Sequence, residues 1–261
     1  MYGIWRGIFA FGSMSSATPY YRRVRTLGDW LADAPFGLAM SSGFFAFYAH
    51  TGMLAALVAR GLTPAHVAGS SAGALVAGAW AAGVPPEELA GVLERLERRD
   101  FWDPAPGAGL LAGKKFDALL RRMLPVTTFD RCHAPVRMSA FDILARRTRV
   151  LASGDLAHAI RASCAVPAMF HPVWIARRPY WDGGILDGPG IAGVPPGRLL
   201  YHHIASRSAL PRRVDMVTVV LRDLPRAGPF RLAAGRLALA HARAATERAL
   251  DLPITNGVVH A

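Results

Sequence analysis

The chain has 261 residues, enough for one large α/β core without division into domains. Hydrophobic residues make up 52% and charged residues 18%, yet no uninterrupted apolar run reaches the roughly 18–20 residues that span a bilayer, so no transmembrane helix is expected. Lys and Arg number 30 against 18 Asp and Glu, a net charge of +12 that favours anionic surfaces. The basic residues are scattered as pairs such as Arg22-Arg23, Lys114-Lys115, Arg121-Arg122 and Arg212-Arg213, without a nucleic-acid recognition signature, so no specific nucleic-acid partner is expected. Cys132 and Cys164 match no metal spacing and build no disulfide framework, which points to a reducing, cytoplasmic setting and no metal.

In chain order, "MYGIWRGIFAFGSMSS" lacks a basic leader region and is interrupted by Arg6, so residues 1–33 are expected to form an arm of unsettled order rather than a cleaved signal. Residues 34–261 read as a single domain. "FGLAM" (36–40) is a buried strand, followed by a Ser-Ser-Gly turn and a helix from about Phe44 to Arg60. "AHVAG" (65–69) is a second strand, and residues 72–83 form a helix so rich in small residues that it must sit close to its neighbours. Pro85-Pro86 and two glutamates start the next helix. "VRMSAFDIL" and "RTRVLASG" pair as strands, "DLAHAIRASCA" is a helix capped by its Asp, "VDMVTVVL" is a late buried strand, and residues 231–250 form a final basic helix. The alternation implies a central, mostly parallel sheet flanked by helices.

Gly69-Ser70-Ser71-Ala72-Gly73 fits G-x-S-x-G with Ser71 at its centre, between a strand and a helix, the context of a nucleophile elbow. The central position favours Ser71 over Ser70. Gly69 and Gly73 remove side chains that would collide there, and the Ala72 amide, at the helix start, can donate to an oxyanion. The alternative is a Gly-Ser turn with Ser70 as a plain helix cap. The turn after the first strand offers further amides at Gly43 and Phe44. None of the nine histidines, among them His50, His158 and the His202-His203 pair, stands in a catalytic context. Asp182, between Tyr180-Trp181 and Gly183-Gly184, is the candidate base, because desolvation at a tight turn raises carboxylate basicity; a simple Asx turn is the competing reading.

Taken together, "GLAMSSGFFAFYAHTGML" (37–54), "VAGSSAGALVAGAWAAG" (67–83), "RASCAVPAMFHPV" (161–173) and "YWDGG" (180–184) resemble the patatin-like phospholipases. The resemblance implies a three-layer architecture related to the α/β-hydrolases and a Ser-Asp dyad, with Ser71 as nucleophile and Asp182 as base. It also implies hydrolysis of fatty-acyl esters of phospholipids, lysophospholipids or acylglycerols at a membrane surface, without a cofactor. In the oxyanion segment Ser42, Gly43 and Phe44 stand where the family has three glycines, and Ala46 replaces a basic residue, which predicts strain at Phe44 if a positive φ is needed there. That departure leaves a lipid-binding or regulatory protein with little turnover as the alternative function. The Phe44, Phe45, Phe47 and Tyr48 cluster is either an acyl-channel wall or, in part, helix core.

Overall fold

The computed structural model describes residues 25–204 and 209–261, so residues 1–24 of the expected arm lie outside the described residues. The end of that arm is folded. Leu27–Asp33 forms α1, begun by a capping box in which the Thr26 hydroxyl accepts from the Asp29 amide and the Asp29 carboxylate accepts from the Thr26 amide. Leu27 and Leu31, one turn apart, are buried in the main core, and Thr26 bridges Pro253. Residues 25–33 therefore form part of the folded domain.

β1 (Gly37–Met40), α2 (Phe47–Ala59), β2 (His66–Ser70), α3 (Ala72–Ala81) and α4 (Pro86–Arg95) follow in the expected order. Next come β3 (Gly109–Leu111), α5 (Lys114–Met123), β4 (Val136–Asp142), β5 (Arg147–Leu151), α6 (Leu156–Ser163), β6 (Ala168–Phe170), β7 (Val173–Ile175) and β8 (Arg178–Asp182). The chain closes with β9 (Leu199–Ile204), β10 (Met216–Leu221), α7 (Leu232–Leu250) and β11 (Val258–His260). Among the described residues no helix is long and apolar enough to cross a membrane.

The main sheet runs β11-β10-β9-β1-β2-β4-β8-β7, with β5 also paired to β4. Neighbours from β11 to β4 are parallel; β5, β8 and β7 add antiparallel pairings. Side chains alternate across a strand. Leu38, Met40, Val67, Met138, Leu200 and Val217 enter one core with α2, α3, α4, α6 and α7. Ala39, Leu199, Tyr201 and Met216 face the other way, against Ile191 and Val194. The layer on that side is thus the irregular stretch 187–197. Asp187 fastens it: its carboxylate accepts from the Ser139 hydroxyl at 2.5 Å and from the amides of Gly190, Ile191 and Ala192.

One feature of the sheet positions the site. β4 pairs with β2 from Val136 to Ser139, then with β8 from Ala140 to Asp142, while β5 holds its other edge. β2 is parallel to β4 and β8 antiparallel, so the two strands meet end to end, with Ser70 opposite Ser139 and Asp182 opposite the next residue, Ala140.

α2 and α7 cross in close contact at Gly52, where a Cβ would lie 2.2 Å from the Leu239 carbonyl oxygen and 3.0 Å from the Arg243 nitrogen. Both atoms are backbone, so relief requires the helices to separate. Gly52→Ala is expected to lower stability by about 1–3 kcal/mol, the usual range for overpacking. Urea unfolding checks this; an unchanged midpoint would show that the two helices are not in close contact.

Candidate active site

Ser71 ends β2 and begins α3, with φ 52° and ψ −118°, a conformation that a non-glycine residue adopts only under constraint. The neighbouring glycines make the turn sterically possible. A Cβ on Gly69 would lie 2.3 Å from the Gly73 carbonyl carbon, and one on Gly73 would lie 2.1 Å from the Met40 carbonyl oxygen. Ser70 is fully buried as the last residue of β2, and Ser71 is half-buried. Although Ser71 is the N-cap of α3, its hydroxyl does not cap the helix. It donates instead to Asp182 Oδ2 at 2.6 Å.

Asp182 is 6% exposed, and its other carboxylate oxygen accepts from the Gly184 amide at 2.7 Å. Burial raises its pKa to about 6, against the opposing effect of the hydrogen bonds from Ser71 and Gly184. Gly183 and Gly184 are required by close approach. A Cβ on Gly183 would lie 2.1 Å from the Ser139 carbonyl oxygen, and one on Gly184 would lie 2.8 Å from Ser42 Cβ.

The loop after β1 carries the other expected donors. The Ser42 amide is taken by the Gly188 carbonyl at 2.7 Å and the Ala46 amide by Gly43. Among the described residues the amides of Gly43, Phe44 and Ala72 have no protein acceptor. The predicted strain at Phe44 is corrected: the positive φ, 58°, falls on Phe45, because a tight turn at residues 44–46 precedes the helix. The Phe45 ring is fixed in this conformation between Phe47, at 5.2 Å, and Phe101, at 5.9 Å.

Ser71 opens into an apolar cavity of about 100 Å³. Phe44, Phe45 and Phe47 form one side, Leu93 and Leu96 another, and Phe116, Leu119 and Met123 of α5 a third. Among the described residues no charged side chain lines it. Tyr48, the fourth member of the aromatic cluster, is core: it is fully buried and its hydroxyl donates to the Leu93 carbonyl.

No histidine hydrogen-bonds Ser71 or Asp182 among the described residues. His158 lies at the surface near Asp117 and Asp155, and His203 pairs with the Tyr201 hydroxyl. His50 and His202 are fully buried and joined Nδ1 to Nδ1 at 2.8 Å. His50 Nε2 lies 2.8 Å from the Ser41 carbonyl, so it must donate there, and its Nδ1 accepts from His202. Burial lowers the His50 pKa to about 4 and holds His202 well below its usual value, so both rings are neutral. This pair anchors the strand end that leads into Gly43.

Two residues that sequence reasoning did not single out hold Ser71 from below. The Ser71 amide donates to Ser163 Oγ at 2.9 Å, and that hydroxyl donates to the Ser139 carbonyl at 2.6 Å. The Cys164 thiol donates to the Ser71 carbonyl at 3.1 Å. Burial, and then the charge of Asp182, raise the Cys164 pKa well above its usual value, so the thiol remains a neutral donor. The only sequence signal was their place in the "RASCAVPAMFHPV" segment.

The patatin-like phospholipase family pattern matches residues 38–194, from β1 to the stretch behind the sheet. An uncharacterized NTE family protein of Mycobacterium tuberculosis is 36% identical over 154 residues, a match that spans 58% of this chain and 42% of that relative. A second such protein of the same species is 25% identical over 160 residues, spanning 60% of this chain and 27% of that one. Among solved structures, VipD from Legionella pneumophila superposes with a TM-score of 0.53 at 14% identity, over 83% of this chain and 67% of that one, a likeness of fold alone. The chain belongs to the patatin-like phospholipase family.

Proposed function

We propose that the protein is a serine acyl hydrolase that cleaves fatty-acyl esters of phospholipids, lysophospholipids or acylglycerols through an acyl-enzyme on Ser71. The observation that carries this reading is the 2.6 Å hydrogen bond from Ser71 to Asp182 at the end of an apolar cavity. Family membership supports the lipid class, and a lining without charged groups suits an acyl chain.

In this mechanism Asp182 takes the Ser71 proton as Oγ attacks the ester carbonyl. The amides of Gly43, Phe44 and Ala72 stabilise the oxyanion, helped by the α3 dipole. Collapse expels the alcohol, which carries off the proton held by Asp182. Water then attacks the acyl-enzyme, giving a proton to Asp182, and Ser71 regains it as the fatty acid leaves. A base whose pKa is about 6 is ionised at neutral pH yet more basic than an ordinary carboxylate. Ser163 and Cys164 hold both peptide groups of Ser71 in the strained turn, keeping its hydroxyl on Asp182. The second reading, a catalytically weak lipid-binding or regulatory protein, rests on the oxyanion segment, where Ser42 and Phe44 stand in place of glycines.

Hydrolysis of a short, soluble p-nitrophenyl ester is expected to rise through pH 6 as Asp182 ionises, and a flat profile there would remove Asp182 as the base. The raised pKa also has a consequence for stability. The native state holds this proton more tightly than the unfolded chain, so its stabilising effect is complete below the ordinary carboxylate value of 3.8 and is lost as pH rises through about 6. At neutral pH the buried charge therefore costs on the order of 3 kcal/mol. Asp182→Asn should abolish turnover and raise the urea midpoint at neutral pH; a lowered midpoint contradicts this.

Ser163→Ala leaves the Ser71 amide and the Ser139 carbonyl unpaired, at an expected loss of about 1–3 kcal/mol. For the ester it should lower kcat by at least about tenfold with little change in KM, the pattern of a lost transition-state geometry. Ser163→Thr, which retains the hydroxyl, should recover most of the rate. A normal kcat in Ser163→Ala would show that the elbow does not need this support.

A further inference from the structure

Exposed apolar side chains form a ridge that passes the cavity rim at Phe44. Leu186 and Ile185, 58% and 41% exposed, stand on the turn after Asp182, which abuts the loop at Ser42. Phe44, 57% exposed, lies two residues beyond Ser42 at the cavity rim, and a Cβ on Gly228 would lie 3.7 Å from its ring. Two residues further is Phe230, 69% exposed, edge-on to Trp102 at 5.4 Å. The Arg98 guanidinium lies 4.9 Å from the Phe230 ring and 5.8 Å from Trp102. Among the described residues Arg98 has no carboxylate partner, whereas Arg99 pairs with Glu97 at 2.8 Å.

We propose that this ridge docks the protein onto an anionic phospholipid bilayer, with Phe44, Ile185, Leu186 and Phe230 entering the interface and Arg98 meeting lipid phosphates. Charge complementarity selects this occupant. The chain carries +12, and Arg98 is held in place by two rings while no carboxylate among the described residues pairs with it. Apolar side chains interleaved with arginine match the headgroup boundary, where rings enter the acyl region and guanidinium groups remain at phosphate level. Phe44 belongs both to this ridge and to the cavity lining, so docking through it brings the cavity to the bilayer surface. The inference rests on the reading of the cavity as an acyl-chain site.

The test is co-sedimentation of the full chain, carrying Ser71→Ala to prevent lipid turnover, with vesicles of phosphatidylcholine alone or mixed with phosphatidylglycerol. Binding should require phosphatidylglycerol and weaken as salt is raised. Adding Phe230→Ser with Leu186→Ser should weaken binding at least about tenfold. Adding Arg98→Ala should weaken it about fivefold and reduce the salt dependence. Val214→Ser is the control: Val214 is 83% exposed but precedes β10, at the end of the parallel sheet away from Ser71, and binding should be unchanged. Wild-type affinity in the double variant, an equal loss in the control, or no vesicle binding at all overturns the proposal. Soluble-ester turnover, measured on the protein with Ser71 intact, separates it from the hydrolase reading. Turnover with undiminished binding by the double variant removes the docking face alone, and ridge-dependent binding without turnover removes the hydrolase alone.

Discussion

The site depends on a single strand edge serving two partners. β4 gives its first four residues to β2 and its last three to β8, and because these approach from opposite directions their ends must meet. Ser71 is the first residue past one end and Asp182 the last residue of the other. Their 2.6 Å contact is therefore a consequence of sheet register, which cannot slip by one residue without turning side chains to the opposite face. Loops of independent mobility would not fix two side chains this closely. Ser139 is the common fastening point: its carbonyl accepts from Ser163 and lies against Gly183, while its hydroxyl ties down Asp187 on the other face.

The same junction concentrates destabilising features. Ser71 and Phe45 hold positive φ, Asp182 is a buried carboxylate with no cationic partner among the described residues, and His202 Nε2 has no hydrogen-bonding partner among them. Each is held by neighbours that leave it no alternative: Ser163 and Cys164 on the Ser71 peptides, Phe47 and Phe101 around Phe45, and His50 on His202. Strain of this kind, over-determined by its surroundings, is common where geometry is needed for chemistry.

What could be read from the sequence was what is local. "FGLAM", "AHVAG" and "VDMVTVVL" are apolar runs bounded by turns, and the elbow glycines announce a close contact within a few residues. β9 was hidden because His202 and His203 read as polar, whereas their partners, His50 and Tyr201, make them buried sheet residues; the His50 contact spans 152 positions. α5 was hidden because its Lys and Arg pairs mask Phe116, Leu119 and Met123, which face the cavity. Ser71 and Asp182 were legible as residue types in suitable turns, but Ser163, Cys164 and Asp187 act only through tertiary hydrogen bonds. The shift of strain from Phe44 to Phe45 depended on where the turn ended and the helix began.

In the proposed mechanism Asp182, without a histidine, makes Ser71 a nucleophile. The most direct measurement is mass-spectrometric mapping of the adduct formed with a fluorophosphonate, comparing the wild-type protein with Asp182→Asn. One adduct is expected on Ser71 in the wild type and none in the variant at the same exposure. An adduct on Ser70, no adduct on the folded wild-type protein, or equally fast labelling of Asp182→Asn would contradict this mechanism.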